Sequence, residues 1–351
     1  MKYRLAILSN ERDHDSGLWI KACEKHADLI EYDNINLTKH NWLTQISAND
    51  YDYFLAKPPG LSEPFKRLYD ERIFILAHVL NKPIFPSPEE IYIYENKRFF
   101  AHWLEARELP HPQTWIYYDK DDALLFLNEY TFPLVAKMNI GASGNGITMI
   151  KNKNQAEKYI KDAFSRGIYA RTGPKLSHGR ILQRLWRKLT HPGELKERLN
   201  TYKAVAQSPQ KGFVIFQQYI PHNFEWRVVR IGDSFFAHKK LKSGEKSSGS
   251  LLKKYENPPK ELLDFVKKAT DRLSFYSQAV DIFEMDDGVF LINEMQCIFG
   301  QSDSYQMLVN GKPGRYRFID RHWKFEEGMF NTNSSYDLRI QFILERINNK
   351  K

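Results

Sequence analysis

The chain has 351 residues, 42% of them hydrophobic and 14% aromatic, which excludes a disordered polymer and leaves room for two or three domains with cores of their own. The formal net charge is +9, and no apolar run approaches the roughly 20 residues that cross a bilayer. Two cysteines, Cys23 and Cys297, make no disulfide framework and point to a reducing, cytoplasmic setting.

Residues 1–95 alternate strand and helix. The run RLAIL, followed at once by charge, reads as a first buried strand rather than a signal peptide. GLWIKACEKH has helical spacing, DLIEY and YDYFLAKP read as strands, and helices are expected near 38–48 and 64–80. This rhythm predicts an open parallel sheet. No G-x-G-x-x-G follows the first strand, so no dinucleotide site is expected there.

A second unit spans 96–165. NKRFFAHWLEAREL is helical, LPHPQTW is a Pro-bounded extended stretch, and a helix follows near 121–129. FPLVAKMN is a strand with one lysine, Lys137, in an apolar run; GASGNG, strand ITMIK and a helix near 155–163 come next. Residues 166–212 read as a basic insertion or connector. From 166 to 211 there are six Arg and five Lys against two Glu, so this stretch carries the whole charge excess. Within it a helix over 180–189 sets Arg180, Arg184, Arg187 and Lys188 on one face, which suits a polyanionic substrate, an oligomer contact or plain solvent.

The third unit, 213–351, opens with strands FVIFQQYI, EWRVVRIGD and SFFAHKKLK, followed by a polar loop SGEKSSGS. A helix over 262–273 leads into AVDIFEMDDGVFLINEMQ, and a helix over 335–347 closes the chain. Asp287-Gly288 between two apolar runs is a strong hairpin signal. If these two residues are the whole turn, Asp281 faces Glu294, and Phe283, Ile292 and Gln296 share that face. Opposed Cβ atoms lie about 4.5–5.5 Å apart, where two carboxylates repel. A divalent cation with oxygen ligands would relieve them; so would protonation of one acid, or a nearby Arg or Lys. Cys297, just beyond, reads as a buried structural thiol rather than a nucleophile.

Three further features carry chemistry. Lys137 with the glycine-rich turn suits phosphate oxygens, although strand–loop–strand is the wrong context for a Walker loop. Gln217 and Gln218 form a polar pair at a strand end. Glu225 and Arg227 share a strand face, either as a salt-bridged pair or as a nucleotide edge with Glu225 on the ribose.

Taken in order, these motifs resemble the ATP-grasp superfamily over 96–296, most of all the branch that includes ribosomal-protein S6 glutamate ligase. The carriers are Asn96-Lys97, VAK with GASGNG, QQYI, EWRVVRIGD, HKK and the Asp281/Glu294 pair. The resemblance implies an α/β chain: an N-terminal βαβ parallel-sheet domain, then two α+β subdomains enclosing a nucleotide cleft. It implies an ADP-forming carboxylate–amine ligase working through an acyl phosphate. Lys97, Lys137, Gly141, Ser143, Gly144, Gly146, Gln217, Gln218, Tyr219, Ile220 and Glu225 would take ATP. Arg227 and Lys239 or Lys240 would serve catalysis. Asp281, Glu294 and Gln296 would hold Mg²⁺, with Mn²⁺ as a substitute. The loops 141–146 and 244–250 would act as lids. Gln296 stands where the family has Asn, and no Pro-Gly follows. A phosphotransferase would use the same site, and a nucleic-acid-binding protein with a vestigial ATP site is the non-enzymatic alternative.

Overall fold

The short apolar run at the N-terminus forms β1 (Tyr3–Ser9), one of the two inner strands of a parallel sheet. The computed structural model describes residues 2–141, 146–169, 209–243, 246–247, 252–300 and 303–349. Two units are distinguished, Met1–Pro59 with Phe65–Pro112 and Ile220–Lys351, and Gly60–Pro64 with Gln113–Tyr219. Among the described residues no helix is long and apolar enough to cross a membrane.

In the first unit β1 pairs with β2 (Ile30–Asn36) and β3 (Tyr53–Ala56), and β4 (Ile84–Phe85) lies beyond β3. Leu5, Ala6, Ile7 and Leu8 are all fully buried, as a parallel sheet covered on both faces requires. Helix α1 (Gly17–Glu24) buries Trp19 and Cys23, and α2 (Trp42–Ser47) buries Trp42 and Ile46. Helix α3 (Glu63–Phe74) runs into a π-helical turn over Ile75–Val79. The Tyr69 hydroxyl of α3 donates to the Leu8 carbonyl (2.7 Å) and accepts from the Lys57 amide (2.9 Å), tying the helix to the ends of β1 and β3. Cys297 and Cys23 are both buried, and burial raises the pKa of each thiol, so neither is a ready nucleophile.

Helix α4 (Pro88–Ile93) opens on a reciprocal cap: Ser87 Oγ accepts from the Glu90 amide, and Glu90 accepts from the Ser87 amide (2.7 Å). Helix α5 (Lys97–Ala106) follows, capped by Asn96.

The second unit holds β5 (Thr114–Tyr117), α6 (Lys120–Phe126), β6 (Leu134–Lys137), β7 (Ile147–Ile150), α7 (Lys153–Ala163) and β8 (Val214–Gln218). Its antiparallel sheet has the order β5-β8-β6-β7. Leu134, Ala136, Val214 and Phe216 pack against Ala123 of α6 and Ile160 of α7. Ile168 and Gln210 exchange backbone hydrogen bonds of 2.8 and 2.9 Å. Arg180, Arg184, Arg187 and Lys188, with the helix expected over 180–189, lie outside the described residues.

Back in the first unit, β9 (Phe224–Ile231) turns into β10 (Ser234–Ser243) at Gly232. Its φ is +56°, and a Cβ there would stand 2.6 Å from the Phe342 ring, so the turn requires glycine. Strands β11 (Lys246–Ser247) and β12 (Lys253–Lys254) pair with β10. Helix α8 (Lys260–Leu273), β13 (Ser277–Glu284) and β14 (Phe290–Gln296) come next. Val228, Val280, Ile282, Ile292 and Met295 form one core with Leu262, Leu263 and Val266 of α8. Strands β15 (Leu308–Val309), β16 (Lys312–Ile319) and β17 (His322–Glu327) extend the sheet, and helix α9 (Tyr336–Asn348) packs on α1. The sequence reading assigns no element between 297 and 334. The β16–β17 turn is made by Asp320 and Arg321, both left-handed (φ 52° and 64°), where a hairpin of this size ordinarily shows Asn or Gly.

Glu90 also accepts from the Ser277 amide (2.9 Å) and the Gln278 side chain (3.3 Å), so the cap of α4 fixes the start of β13. Burial outweighs these donors and pushes the Glu90 pKa from 4.5 up to about 7. The folded state therefore binds the proton more tightly than the unfolded chain, and this contribution is lost as pH rises from about 4.5 through 7. Measured by urea unfolding, wild-type stability relative to Glu90→Gln should fall across that window by up to about 1.4 kcal/mol per pH unit. Parallel pH profiles would remove Glu90 from the linkage.

Candidate active site

The acidic hairpin pairs Asp281 with Glu294, as its sequence suggests, but by a different route. Met285 donates to the Val289 carbonyl, which leaves Asp286, Asp287 and Gly288 as a three-residue loop with Gly288 at φ +81°. Asp287 is not half of a two-residue turn; its carboxylate accepts from the Val289 amide (3.1 Å). The longer loop sets Ile282 opposite Ile292, and a bulge between Asp281 and Ile282 restores the pairing. Asn293 is the extra residue. In consequence Ile292 does not share the Asp281 face; it packs with Ile282 and Val280 in the core under α8.

Cross-strand neighbours fill the Asp281 face. Arg227 lies beside Asp281, His238 beside Arg227, and Lys240 beside Glu225. Asp281 is 1% exposed. Its Oδ1 accepts from Arg227 Nε (2.7 Å), and its Oδ2 from Arg227 Nη2 (2.8 Å) and Lys240 Nζ (2.7 Å). Lys240 Nζ also donates to Glu225 Oε2 (2.8 Å), and the bulged Asn293 reaches Glu225 Oε1 (3.3 Å). Two acids and two bases thus balance in a closed network. Burial works against the Asp281 charge, but Arg227 and Lys240 overcome it and hold its pKa below the usual carboxylate range. Burial likewise opposes the Lys240 charge, and Asp281 and Glu225 more than restore it.

At the margin of this face Lys97 Nζ stands 3.6 Å from Glu95 and 3.8 Å from Glu294. Lys239, next in sequence to Lys240, points to the other face: it pairs with Glu256, and its ammonium lies 3.9 Å from the Phe224 ring centre. Strand alternation therefore separates the two lysines, and only Lys240 joins Arg227.

The remaining candidates belong to the second unit or its boundary. Lys137 ends β6 and is 7% exposed. Met138 donates to the Gly146 carbonyl (2.7 Å), and a Cβ on Gly146 would stand 2.9 Å from that of Met138, so the returning strand needs glycine there. Gly141 lies beside Gly146; Ser143 and Gly144 fall outside the described residues. Gln217 donates to Thr114 Oγ1 (3.2 Å), while Gln218 is exposed. The chain passes from one unit to the other between Tyr219 and Ile220.

Among the described residues no cluster of three or more His, Cys, Asp or Glu is arranged to hold a metal. Both Asp281 oxygens are already bonded to cations, so Asp281 as it stands does not fit a metal ligand. Glu294 and Gln296 are partly exposed and have oxygen donors at the margin, a set that fits a magnesium ion completing its shell with phosphate oxygens and water.

His238 was not singled out from the sequence. It is 2% exposed, and its Nδ1 lies 2.9 Å from the Gln306 carbonyl, which can only accept, so Nδ1 carries the proton. Its Nε2 meets no donor among the described residues, and burial, reinforced by Arg227 and Lys253, pushes its pKa down to about 3. In the sequence it shows only as the histidine that ends the apolar run FFAH and begins HKK.

Asp281→Asn should cost about 3–5 kcal/mol of stability, because it removes the buried carboxylate bonded to Arg227 and one of the two bonded to Lys240. Glu294→Gln, at a partly exposed position, should cost under about 1 kcal/mol. Urea unfolding midpoints check both, and equal losses would contradict the network. Glu294→Gln is accordingly the cleaner probe of function.

No family model matches the chain. A curated phosphoribosylamine–glycine ligase from Fusobacterium nucleatum is 24% identical over 88 residues, which is 25% of this chain and 21% of that enzyme. The chain thus spans about a fifth of that relative's length. Among solved structures, D-alanyl-alanine synthetase A from Vibrio cholerae superposes with a TM-score of 0.56 at 12% identity, covering 99% of both chains. Carboxyaminoimidazole ribonucleotide synthase from Aspergillus clavatus, complexed with ATP, also gives 0.56 at 11% identity, over 98% of this chain and 77% of its own. With a parallel N-terminal sheet and two antiparallel sheets, and with these structural neighbours, the chain has the ATP-grasp fold.

Proposed function

We propose that the protein is an ATP-dependent, ADP-forming carboxylate–amine ligase. The observation that supports this most is the face carrying Arg227 and Lys240, two cations kept charged in a buried setting by carboxylates placed beneath them. Preorganised cations of this kind stabilise charge as it spreads over a transferring phosphoryl group, and they need no reorganisation at the moment of reaction. The substrate carboxylate attacks the γ-phosphorus, the bond to the bridging oxygen breaks, and ADP leaves with that electron pair. An amine then attacks the acyl carbon and expels inorganic phosphate. No covalent nucleophile from the protein is needed.

In this reading Arg227 and Lys240 face the transferring group, and Lys97 and Lys137 take phosphate oxygens with Gly141 and Gly146. Gln217, Gln218, Tyr219 and Ile220 meet the adenine. Glu225 anchors Lys240, and any ribose contact it makes competes with that bond. Glu294 and Gln296 would hold the magnesium or manganese that accompanies the nucleotide, which would screen its phosphate charge. The proposed segments are 1–95, 96–165, 166–212 and 213–351. The fold, shared at 11–13% identity with several ligases, supports the class and leaves the substrates open.

ADP release should be measured against a panel of carboxylates with and without amino acids, with hydroxylamine to trap an acyl phosphate. Trapping should depend on both ATP and one carboxylate. Lys240→Met should lower kcat by about 10²–10³-fold, as loss of one preorganised charge does elsewhere. ADP without a trapped acyl group would assign a phosphotransferase, and no ADP with any carboxylate would sink the reading.

A further inference from the structure

Lys97 opens α5, and its side chain is only 11% exposed between two acids of different standing. Glu95 has a side chain 1% exposed, and Glu294 one 29% exposed. Glu95 takes an unusual backbone to get there. It lies between the last residue of α4 and the cap of α5 with φ +48°, a left-handed conformation that a residue with a long side chain rarely adopts. Strain of this kind persists only where the surroundings hold it in place. The buried Lys66, bonded to Asp70 and to the Ile91 carbonyl (3.1 Å), adds a second positive charge near the Glu95 carboxylate.

We propose that Glu95 is a positioning residue for nucleotide binding: it is the fixed anchor of the Lys97 ammonium, while Glu294 is its exchangeable partner. The inference rests on the ligase reading, in which Lys97 meets a phosphate oxygen. An acid this deeply buried has no room to follow the lysine or leave it. A partly exposed acid at the end of a hairpin can give way. An arriving phosphate therefore replaces Glu294 at Lys97, and Glu95 keeps the ammonium in place during the exchange. A lysine with no such anchor would have to be ordered by the nucleotide itself, at a cost in affinity.

The test measures ADP binding by calorimetry, with no turnover needed, alongside unfolding midpoints. Glu95→Gln removes the charge and keeps the shape; Glu95→Gly removes both the charge and the backbone strain. If Glu95 served only the turn, Glu95→Gly would be as stable as wild type or more so and would bind ADP normally. The proposal requires both variants to lose about tenfold in ADP affinity, Glu95→Asp to recover part of it, and Glu95→Gln to add little in a Lys97→Ala background. Normal ADP binding by Glu95→Gln or Glu95→Gly, or additive losses with Lys97→Ala, would overturn it. Absence of ADP binding by wild type would overturn the ligase reading as well, whereas a weakened Lys97→Ala beside a normal Glu95→Gln would sink this inference alone.

Discussion

Asp281 is a carboxylate with almost no access to water, in the middle of a sheet face, and much of the site follows from keeping it ionised. An isolated buried charge is too costly to persist, so the neighbouring strands supply cations: Arg227 at the register position beside it on β9, and Lys240, which reaches over from its position beside Glu225 on β10. Two cations on one acid would leave an excess of charge, and Glu225 cancels it. Glu225 in turn has a second oxygen to satisfy, and the bulged Asn293 reaches it.

Such networks are poor sources of stability, since desolvation offsets most of the attraction. Well-packed apolar side chains would hold these strands together as firmly. What the network provides is placement: a bidentate guanidinium and a doubly anchored ammonium have one arrangement each. That is the property a site needs if it is to meet developing phosphoryl charge without rearranging. Lys97 shows the same design at the margin of the face, with one anchor buried and the other partly open.

The parts of the fold governed by local pattern were legible in the sequence. Apolar runs marked β1, β3 and β6, helical spacing marked α5 and α8, and the Asp281/Glu294 pair followed from a hairpin centred on Asp287-Gly288. What escaped depends on neighbours distant in sequence. Arg227 and Lys240 bond Asp281 and Lys97 stands near Glu294, so each acid has its own cation rather than one shared between them, and only the sheet order brings Arg227 and Lys240 to Asp281. Lys239 and Lys240 could not be told apart until the register gave each a face. The β16–β17 hairpin stayed hidden because Asp-Arg makes a turn that composition assigns to Asn-Gly. The Asp281–Glu294 pairing came out right although the turn did not, because the bulge cancels the extra loop residue.

That cancellation has a bearing on how this site can vary. The hairpin tip and the acid pair are one bulge apart, so a one-residue change in loop length need not reach Asp281 if the bulge is lost or shifted with it. Asn293 works as a slack link: the solvent end of β13 and β14 can drift by insertion and deletion while the chemical end keeps its phase. Because Asn293 also bonds Glu225, the slack is not free to disappear without loosening the anchor of Lys240. Tolerance at the tip and rigidity at the centre thus meet at a single residue.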